Sequence, residues 1–512
     1  MKKRKIDIYN IFGFSLLILI TILSCVRFNY LPQFIDDYYH LSVAFGFIKS
    51  GGWTGIDWWN FSPYGRPHLY PPLYHFVIVS LISMGIDGIT ALRITEILIV
   101  PLFFFLLWYI FKKQISSFFS FFFLIISSSF FAFYSSVSGN IPASLAVIFG
   151  VLCWYFLKEG KIISSILFLA LSFYTHAGIP WIFVISLLIL GIFSKEWRKK
   201  SLLIISASIV LASPFIIHQL HYLSYVHLTV LREVRFSHYS ILILLAGLFS
   251  LLYCLKIRGF FSFLFLGYTL GSIVVFFKYP YRFFSAQGML GLCMGIAYIL
   301  GYFRKNLSSK KEFLITLILG LFFFFIHPTV DLKNGKLKYN FLNSTYYNFI
   351  SGKFVHMFEF NTLFYPKYYT PIVEVIKKYT NANDIIASNI PVASQIFSAL
   401  SNRPTSSSIM VEVESFKRVS PYRLAKIIVW IRPEYKELNY WIKRFNLIKL
   451  YDNELGIVLL NPHYSGNFTP LKAKISFKIV NLCSLFFLFI FLLDNVKILG
   501  KNRVVLFRKE DV

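Results

Sequence analysis

The sequence predicts a polytopic α-helical membrane protein of about 12 transmembrane helices with a C-terminal extracytoplasmic α/β domain. Three observations predict it. Of 512 residues, 57% are hydrophobic and only 14% charged, whereas a soluble globular chain carries roughly 25% charged residues. Apolar runs recur along most of the length, and each is long enough to cross a hydrocarbon core of about 30 Å. Lys and Arg collect in short clusters between those runs, where basic residues set orientation.

The net charge of +28 would point a soluble chain toward nucleic acid. Placed between membrane runs, it points instead to membrane lipids and lipid-phosphate substrates, with no nucleic-acid partner expected. The five cysteines, Cys25, Cys153, Cys254, Cys293 and Cys483, fall in or beside apolar runs and form no CxxC pair. That pattern excludes a zinc-finger or disulfide framework as the organising principle.

Threading the runs in order gives one consistent topology. MKKRK places the N-terminus inside, and the first span covers about 8–28. This run is too long for a removed signal peptide and lacks a small-residue cleavage site, so an anchor is expected. Residues 30–93 then form an external loop. Within it Pro71-Pro72 opens an apolar helix over 71–85, marginal in length and read as lying on the outer surface. Span two (94–111) ends at Lys112-Lys113, and spans three (115–134) and four (141–157) end at KEGK. Spans five (162–178) and six (179–194) lead to KEWRKK, and seven (201–219) and eight (241–255) to KIR. Spans nine (260–277) and ten (283–303) end at RKNLSSKK, eleven (312–328) exits, and twelve (476–495) returns to a basic tail. Every basic cluster lands inside, and counting 71–85 as a crossing would invert all later spans.

The domains expected are therefore a membrane module over 1–328, an external domain over 329–474, and a closing helix with a basic cytoplasmic tail over 475–512. In the external segment PIVEVIKKYTNANDIIASNI reads as an amphipathic helix, a turn and a short strand. KIIVWI reads as a buried strand, RPEYKELNYWIKRF as a helix, and LIKLYDNELGIVLLN as a strand hairpin. Such alternation predicts a small α/β unit. Glu412, Glu414, Asp452 and Glu454 read as solvated strand or turn positions. Sequons at Asn343 and Asn467 would lie outside.

The stretch FIDDYYHLSVAF (34–45) places Asp36, Asp37 and His40 just beyond the first span. Three readings stay open for the two acids: a solvated loop with a helix cap, a divalent-cation site, and a general base for an acceptor hydroxyl. Mutual repulsion of adjacent carboxylates would raise one of their pKa values. The loop continues through Trp53, Trp58, Trp59, Tyr64, Tyr70 and Tyr74. Such aromatics suit the lipid headgroup level, and their faces also suit sugar rings. Arg66, His68 and His75 add polar groups beside the Pro-Pro helix start.

An acidic pair after the first span, an aromatic loop, YPPL (70–73) opening a surface helix, and Leu92-Arg93 opening the next span together resemble the GT-C glycosyltransferases. The nearest likeness is to the branch of protein O-mannosyltransferases and aminoarabinose transferases. His68 stands two residues before the place where that branch has a histidine preceding Pro-Pro. KYPYRFFSAQ (278–287) offers Arg282-Phe283, similar to an arginine–aromatic pair in an outer loop of related proteins. THAGIP (175–180) places His176 at an outer turn, either near the same pocket or paired within the bundle. The chain lacks WWDYG, a hallmark of oligosaccharyltransferase catalytic subunits.

The resemblance implies transfer of a sugar from a polyprenyl-phosphate donor to a protein, lipid or glycan acceptor at the outer membrane face, with inversion. In that reading Asp36 is the base, and Asp37 orients the acceptor or joins Asp36 in ligating Mg²⁺ or Mn²⁺. Arg282 and Arg93 hold the phosphate, and His40, Arg66, His68, Tyr70, His75 and His176 line the substrate site. The external domain binds the acceptor or acts as a structural lid. A transporter or flippase of lipid-linked sugars and a non-catalytic envelope scaffold are the competing classes. Transporters place ionisable groups near the midplane, whereas here the acids gather at the outer face, with Glu96 as the exception. The expected location is the cell membrane of an archaeon or bacterium.

Overall fold

The computed structural model describes residues 7–32, 34–227, 240–304, 308–333, 336–356, 366–409, 413–417, 419–431, 435–464, 466 and 469–507. The chain begins with α1 (Ile8–Val26), capped by the Asp7 carboxylate, which accepts from the Tyr9 amide at 3.1 Å. The first loop holds α2 (Ile35–Ser50), the short strands β1 (Gly52–Trp53), β2 (Ile56–Asp57) and β3 (Arg66–Pro67), and α3 (Leu73–Ser83). The eleven residues of α3 span about 16 Å at 1.5 Å per residue, well short of the hydrocarbon thickness.

A helical bundle follows: α4 (Gly88–Gln114), α5 (Ser117–Ser129), α6 (Phe131–Gly139), α7 (Ile141–Lys158), α8 (Ile162–Phe173), α9 (Ile179–Phe193) and α10 (Lys195–His221). It continues with α11 (Ile241–Ile257), α12 (Phe260–Val275), α13 (Pro280–Ser285), α14 (Met289–Phe303) and α15 (Ser309–Phe325). Among the described residues six helical stretches are long and apolar enough to cross a membrane: α1, α4, α7, α10, the Pro280–Phe303 stretch, and Phe477–Asn495 of the last helix. Shorter apolar helices pack among them. Small residues set the closest approach. A Cβ on Gly267 would lie 2.6 Å from the Ser186 Cα, so α12 rests directly on the backbone of α9.

The stretch expected as one span over 115–134 is two helices. The Ser127, Ser128 and Ser129 hydroxyls bond back to the carbonyls of Phe123 (2.7 Å), Leu124 (2.5 Å) and Ile126 (3.2 Å). Such bonds compete with the helical ladder, and Phe130 turns extended between α5 and α6. A second interruption follows at Asn140, whose side chain accepts from the Ala143 amide (3.3 Å) and so caps α7.

Beyond the bundle, β4 (Thr329–Lys333) and β5 (Lys336–Asn340) form a hairpin, followed by α16 (Thr345–Ile350) and α17 (Lys353–His356). This stretch belongs with the bundle: Tyr346 stacks on Phe324, and its hydroxyl meets Ser128 at 2.5 Å. Asn343, expected as a glycan acceptor, is buried; its amide donates to Thr329 (3.0 Å) and its oxygen accepts from Asn348 (3.1 Å). The Asn467 sequon and Glu412 lie outside the described residues.

The α/β unit starts later than 329. It comprises α18 (Pro366–Tyr379), β6 (Ile386–Ser388), α19 (Pro391–Ser401), α20 (Pro421–Leu424), β7 (Ile427–Ile431), α21 (Tyr435–Phe445), β8 (Ile448–Asp452) and β9 (Gly456–Leu460). The sheet order is β6-β7-β9-β8, with β6 and β7 parallel and the other neighbours antiparallel. Ile372, Ile376 and Phe397 cover one face, and Leu438 with Trp430 the other. Glu414 joins this unit to the bundle: its amide donates to the Tyr225 carbonyl at 3.0 Å. The Asp452 carboxylate accepts from Lys449 at 2.6 Å. The chain closes with β10 (Ile475–Ser476), paired to β1, and α22 (Phe477–Phe507).

Two sets of contacts define opposite ends of the bundle. At one end, Lys113 pairs with Glu159 (3.6 Å), and Lys161 donates to Asn495 (2.5 Å). At the other, α2 and the first loop dock on α19: Gln395 donates to the Tyr38 carbonyl (3.2 Å) and the Ser42 hydroxyl (2.7 Å). The amides of Thr405 and Ser62 exchange bonds with the carbonyls of Trp59 (2.9 Å) and Thr405 (2.8 Å).

Candidate active site

Asp36 and Asp37 sit in the first turn of α2, where the helix dipole favours negative charge. Adjacent residues on a helix point about 100° apart, and the two carboxylates face different surroundings. Asp36 lines a cavity of ≈ 330 Å³ together with Phe34, Ser135, Ser136, Asn140, Arg282 and Gln287, among others. Asp37 does not line that cavity. It is buried in the field of Glu96, Arg93 and Arg27, and burial pushes its carboxyl well above the usual range, with Glu96 adding to the effect and Arg93 opposing it.

The group around Asp37 is a buried ionic network. Glu96 receives Arg93 at 2.6 Å on one oxygen and Arg27 on the other, and Arg93 also donates to the Tyr30 carbonyl. These contacts tie the end of α1 to the start of α4. Arg93 is thus spent within the protein and does not line the cavity, contrary to its expected phosphate role. Charges removed from water must be paired to persist there.

On the cavity side, Arg282 packs over Phe276 and Tyr281, each ring centroid 5.8 Å from its guanidinium carbon. It receives the field of Asp36. Its Nη1 stands 3.4 Å from the Nε2 of His176. The His176 Nδ1 accepts from the amides of Gly178 (3.0 Å) and Ile179 (3.2 Å), which places the imidazole proton on Nε2. Two N–H groups therefore face each other, an arrangement that suits a shared anionic acceptor. Burial and the Arg282 charge hold His176 well below the ordinary histidine pKa, so it stays neutral.

Beneath this pair lies a packed imidazole–aromatic layer. His40 Nδ1 meets His75 Nε2 at 2.9 Å, and the His68 ring stands 5.3 Å from that of His75. Tyr70 lies 4.8 Å from the His40 ring and 6.0 Å from that of His176. Burial pushes His40 and His68 down to about 3 and His75 well below its ordinary value, leaving three neutral rings. His68 reaches this layer despite its two-residue offset. The layer joins α2 to α3 and carries Tyr70 toward Asp36, whose field Tyr70 feels.

Arg66 belongs elsewhere. Its Nε donates to Asp57 at 3.2 Å, its Nη1 donates to the Ile409 carbonyl at 3.3 Å, and its guanidinium covers Phe61 at 4.6 Å. It clamps the first loop to the α/β unit rather than lining the cavity. Burial raises the Asp57 pKa, and Arg66 and Asn60 pull it back. Of the two acids expected to share a cation, Asp36 lines the cavity and Asp37 does not. Among the described residues no group of three His, Cys, Asp or Glu side chains is placed to hold a metal.

No protein-family model and no curated protein matches the chain by sequence. Solved structures match by fold. The crystal structure of ArnT from Cupriavidus metallidurans bound to undecaprenyl phosphate superposes with a TM-score of 0.57 at 10% identity, covering 89% of this chain and 98% of that one. The Archaeoglobus fulgidus oligosaccharyltransferase in complex with Zn and sulfate gives a TM-score of 0.54 at 11% identity, covering 87% and 73%. AglB from the same organism, with an inhibitory peptide and a dolichol-phosphate, gives 0.51 at 11%, covering 89% and 75%. The chain has the GT-C glycosyltransferase fold.

In this GT-C fold the sequence had singled out Asp36, Arg282, His176 and Tyr70, and the structure brings them to one place. It had not singled out Gln287, Asn140, Ser135 or Ser136. The signal for Asn140 was readable: Asn-Ile-Pro is a helix start, with a capping side chain and a proline in the first turn. Ser135 and Ser136 carried no signal, because serine within an apolar run also serves as an ordinary membrane-packing residue.

Proposed function

We propose that the protein is an inverting membrane glycosyltransferase that moves a sugar from a polyprenyl-phosphate donor to a hydroxyl acceptor at the outer membrane face. The observation that carries this is the shared cavity: Asp36 and Arg282 both line it, and His176 backs the arginine. In this reading Asp36 takes the proton of the acceptor hydroxyl as its oxygen attacks the anomeric carbon. The bond from that carbon to the phosphate oxygen breaks, and its electron pair leaves with the lipid phosphate. Arg282 and the His176 Nε2–H stabilise the charge that develops there. Arg suits this task, since its planar fork matches phosphate oxygens.

The topology proposed is twelve crossings: α1, α4, α5 with α6, α7, α8, α9, α10, α11, α12, α13 with α14, α15 and α22. Both termini are then cytoplasmic. The end marked by the Lys113–Glu159 pair faces inward, and α2, α3 and the α/β unit lie outside. Docking of α19 on α2 supports a role for that unit in presenting the acceptor, whether protein, lipid or glycan.

The test is transfer in proteoliposomes supplied with a panel of undecaprenyl-phosphate sugars. Turnover that Asp36→Asn abolishes, with donor binding retained, is the expected result. Equal turnover in both proteins removes Asp36 from the mechanism, and donor movement across the bilayer without transfer replaces the enzyme with a transporter.

A further inference from the structure

The cavity has one wall that the transfer mechanism does not use. Gln287, at the break between α13 and α14, is 2% exposed, and its Oε1 has no hydrogen-bond partner among the described residues. Its position is fixed at two points. The Tyr268 hydroxyl donates to its backbone carbonyl at 3.1 Å, and its Nε2 faces the Ser136 carbonyl at 3.5 Å. Flipping the amide would set two acceptor oxygens against each other, so Oε1 is the atom turned away from Ser136. A buried acceptor without a donor is costly, and this one belongs to a residue lining the cavity that also holds Asp36 and Arg282.

The neighbouring wall continues the pattern. Ser135, Ser136 and Asn140 contribute neutral polar side chains, and Asp36 is the carboxylate among the described lining residues. A phosphate beside Arg282 would leave the attached sugar along this wall, with neutral hydrogen-bonding groups and no second acid to meet an ammonium. We infer that Gln287 is a specificity-determining residue whose Oε1 accepts from a hydroxyl of the donor sugar, and that the donor carries a neutral hydroxylated sugar rather than an amino sugar. The inference rests on the lipid-phosphate donor proposed above.

The experiment measures binding of sugar-free undecaprenyl phosphate, and of the same lipid phosphate carrying mannose, glucose or an amino sugar, to detergent-purified protein. Wild type is expected to prefer one neutral glycolipid over the sugar-free lipid. Gln287→Met, close in size and without the acceptor, should weaken that glycolipid by roughly 10-fold or more, the loss expected when one partner of a buried hydrogen bond is removed. Its affinity for the sugar-free lipid should stay unchanged. Monodeoxy versions of the preferred glycolipid should include one that wild type and Gln287→Met bind equally. Three results overturn the assignment alone: an undiminished preference in Gln287→Met, a parallel loss of the sugar-free lipid, or a wild-type preference for the amino sugar. If wild type binds none of the lipids, the lipid-phosphate reading itself falls, and the inference with it.

Discussion

Neutralising the two adjacent carboxylates one at a time should give opposite results. Asp36→Asn keeps the size of the side chain and removes the base, and a positioned general base contributes roughly 10²–10⁴-fold. Asp37→Asn replaces a group already pushed toward its neutral form by burial. Turnover should stay within about tenfold of wild type, a barrier change of no more than about 1.4 kcal/mol. A second readout separates structure from chemistry. In the unfolded chain an aspartate titrates near about 3.9, and burial raises Asp37 above that in the fold. The folded state therefore holds a proton that the unfolded state has released. The stability this contributes is complete below the unfolded value and is lost as pH rises through the folded one, at about 1.4 kcal/mol per pH unit while the two states differ by one proton. Asp37→Asn has no such proton and should flatten that part of the curve. Thermal unfolding of detergent-purified wild type and variant across the acid-to-neutral range measures the slope. An unchanged slope in Asp37→Asn, or a loss of turnover equal to that of Asp36→Asn, would refute the division of roles.

Three further outcomes follow from the same geometry. Arg282→Ala should weaken donor binding by roughly 10–100-fold, the worth of a hydrogen bond to a charged group, and Arg282→Lys should fall between, keeping the charge but not the fork; titration with undecaprenyl phosphate reads both. Glu96→Gln leaves Arg27 and Arg93 buried without their shared carboxylate and should cost about 3–5 kcal/mol, seen as an earlier thermal transition that Arg27→Met in the same chain partly restores. Gly139→Ala would drive a methyl group into the Phe34 ring two residues before Asp36. Overpacking of this kind costs about 1–3 kcal/mol, and donor affinity should drop and then recover on adding Phe34→Ala.

The membrane character was legible because hydrophobic length is a direct physical requirement of the bilayer. The strands over 427–431 and the 448–460 hairpin fall where apolar runs and turn residues placed them. The site was legible only in part. Asp36 and Arg282 lie 246 positions apart; the acidic pair stands out in the sequence by itself, but only the resemblance couples it to Arg282. The roles of Arg93 and Arg66 were not readable, since an arginine beside a membrane has the same sequence appearance whether it meets a substrate phosphate or an internal carboxylate. What separates the cases is Glu96 one helical turn after Arg93, and Asp57 across the β2–β3 pair from Arg66. Asn343 shows the converse: its triplet fits a sequon, but burial and two hydrogen bonds use the amide that glycosylation would need.

The placement of the cavity follows from where the helices break. Backbone within a membrane must satisfy its own polar groups, and irregular backbone is tolerated only where it is covered by protein or lines a polar cavity. This bundle is interrupted at Phe130, at Asn140, and between Ser285 and Met289. The lining residues cluster at these interruptions: Phe131 and Ala132 follow the first, Gly139 and Asn140 form the second, and Ala286 and Gln287 form the third. The serine run before Phe130 weakens the ladder, and Pro142 stands in the first turn of the helix that resumes after Asn140. Three breaks meeting opposite the first turn of α2 supply freed polar groups and small side chains where a single straight helix would present only an apolar stripe. Asp36 lines that gap from α2, which the His40–His75 contact ties to α3 and Gln395 ties to α19. The first loop brings the acid, the broken helices bring the arginine and the neutral wall, and neither element would form a pocket alone.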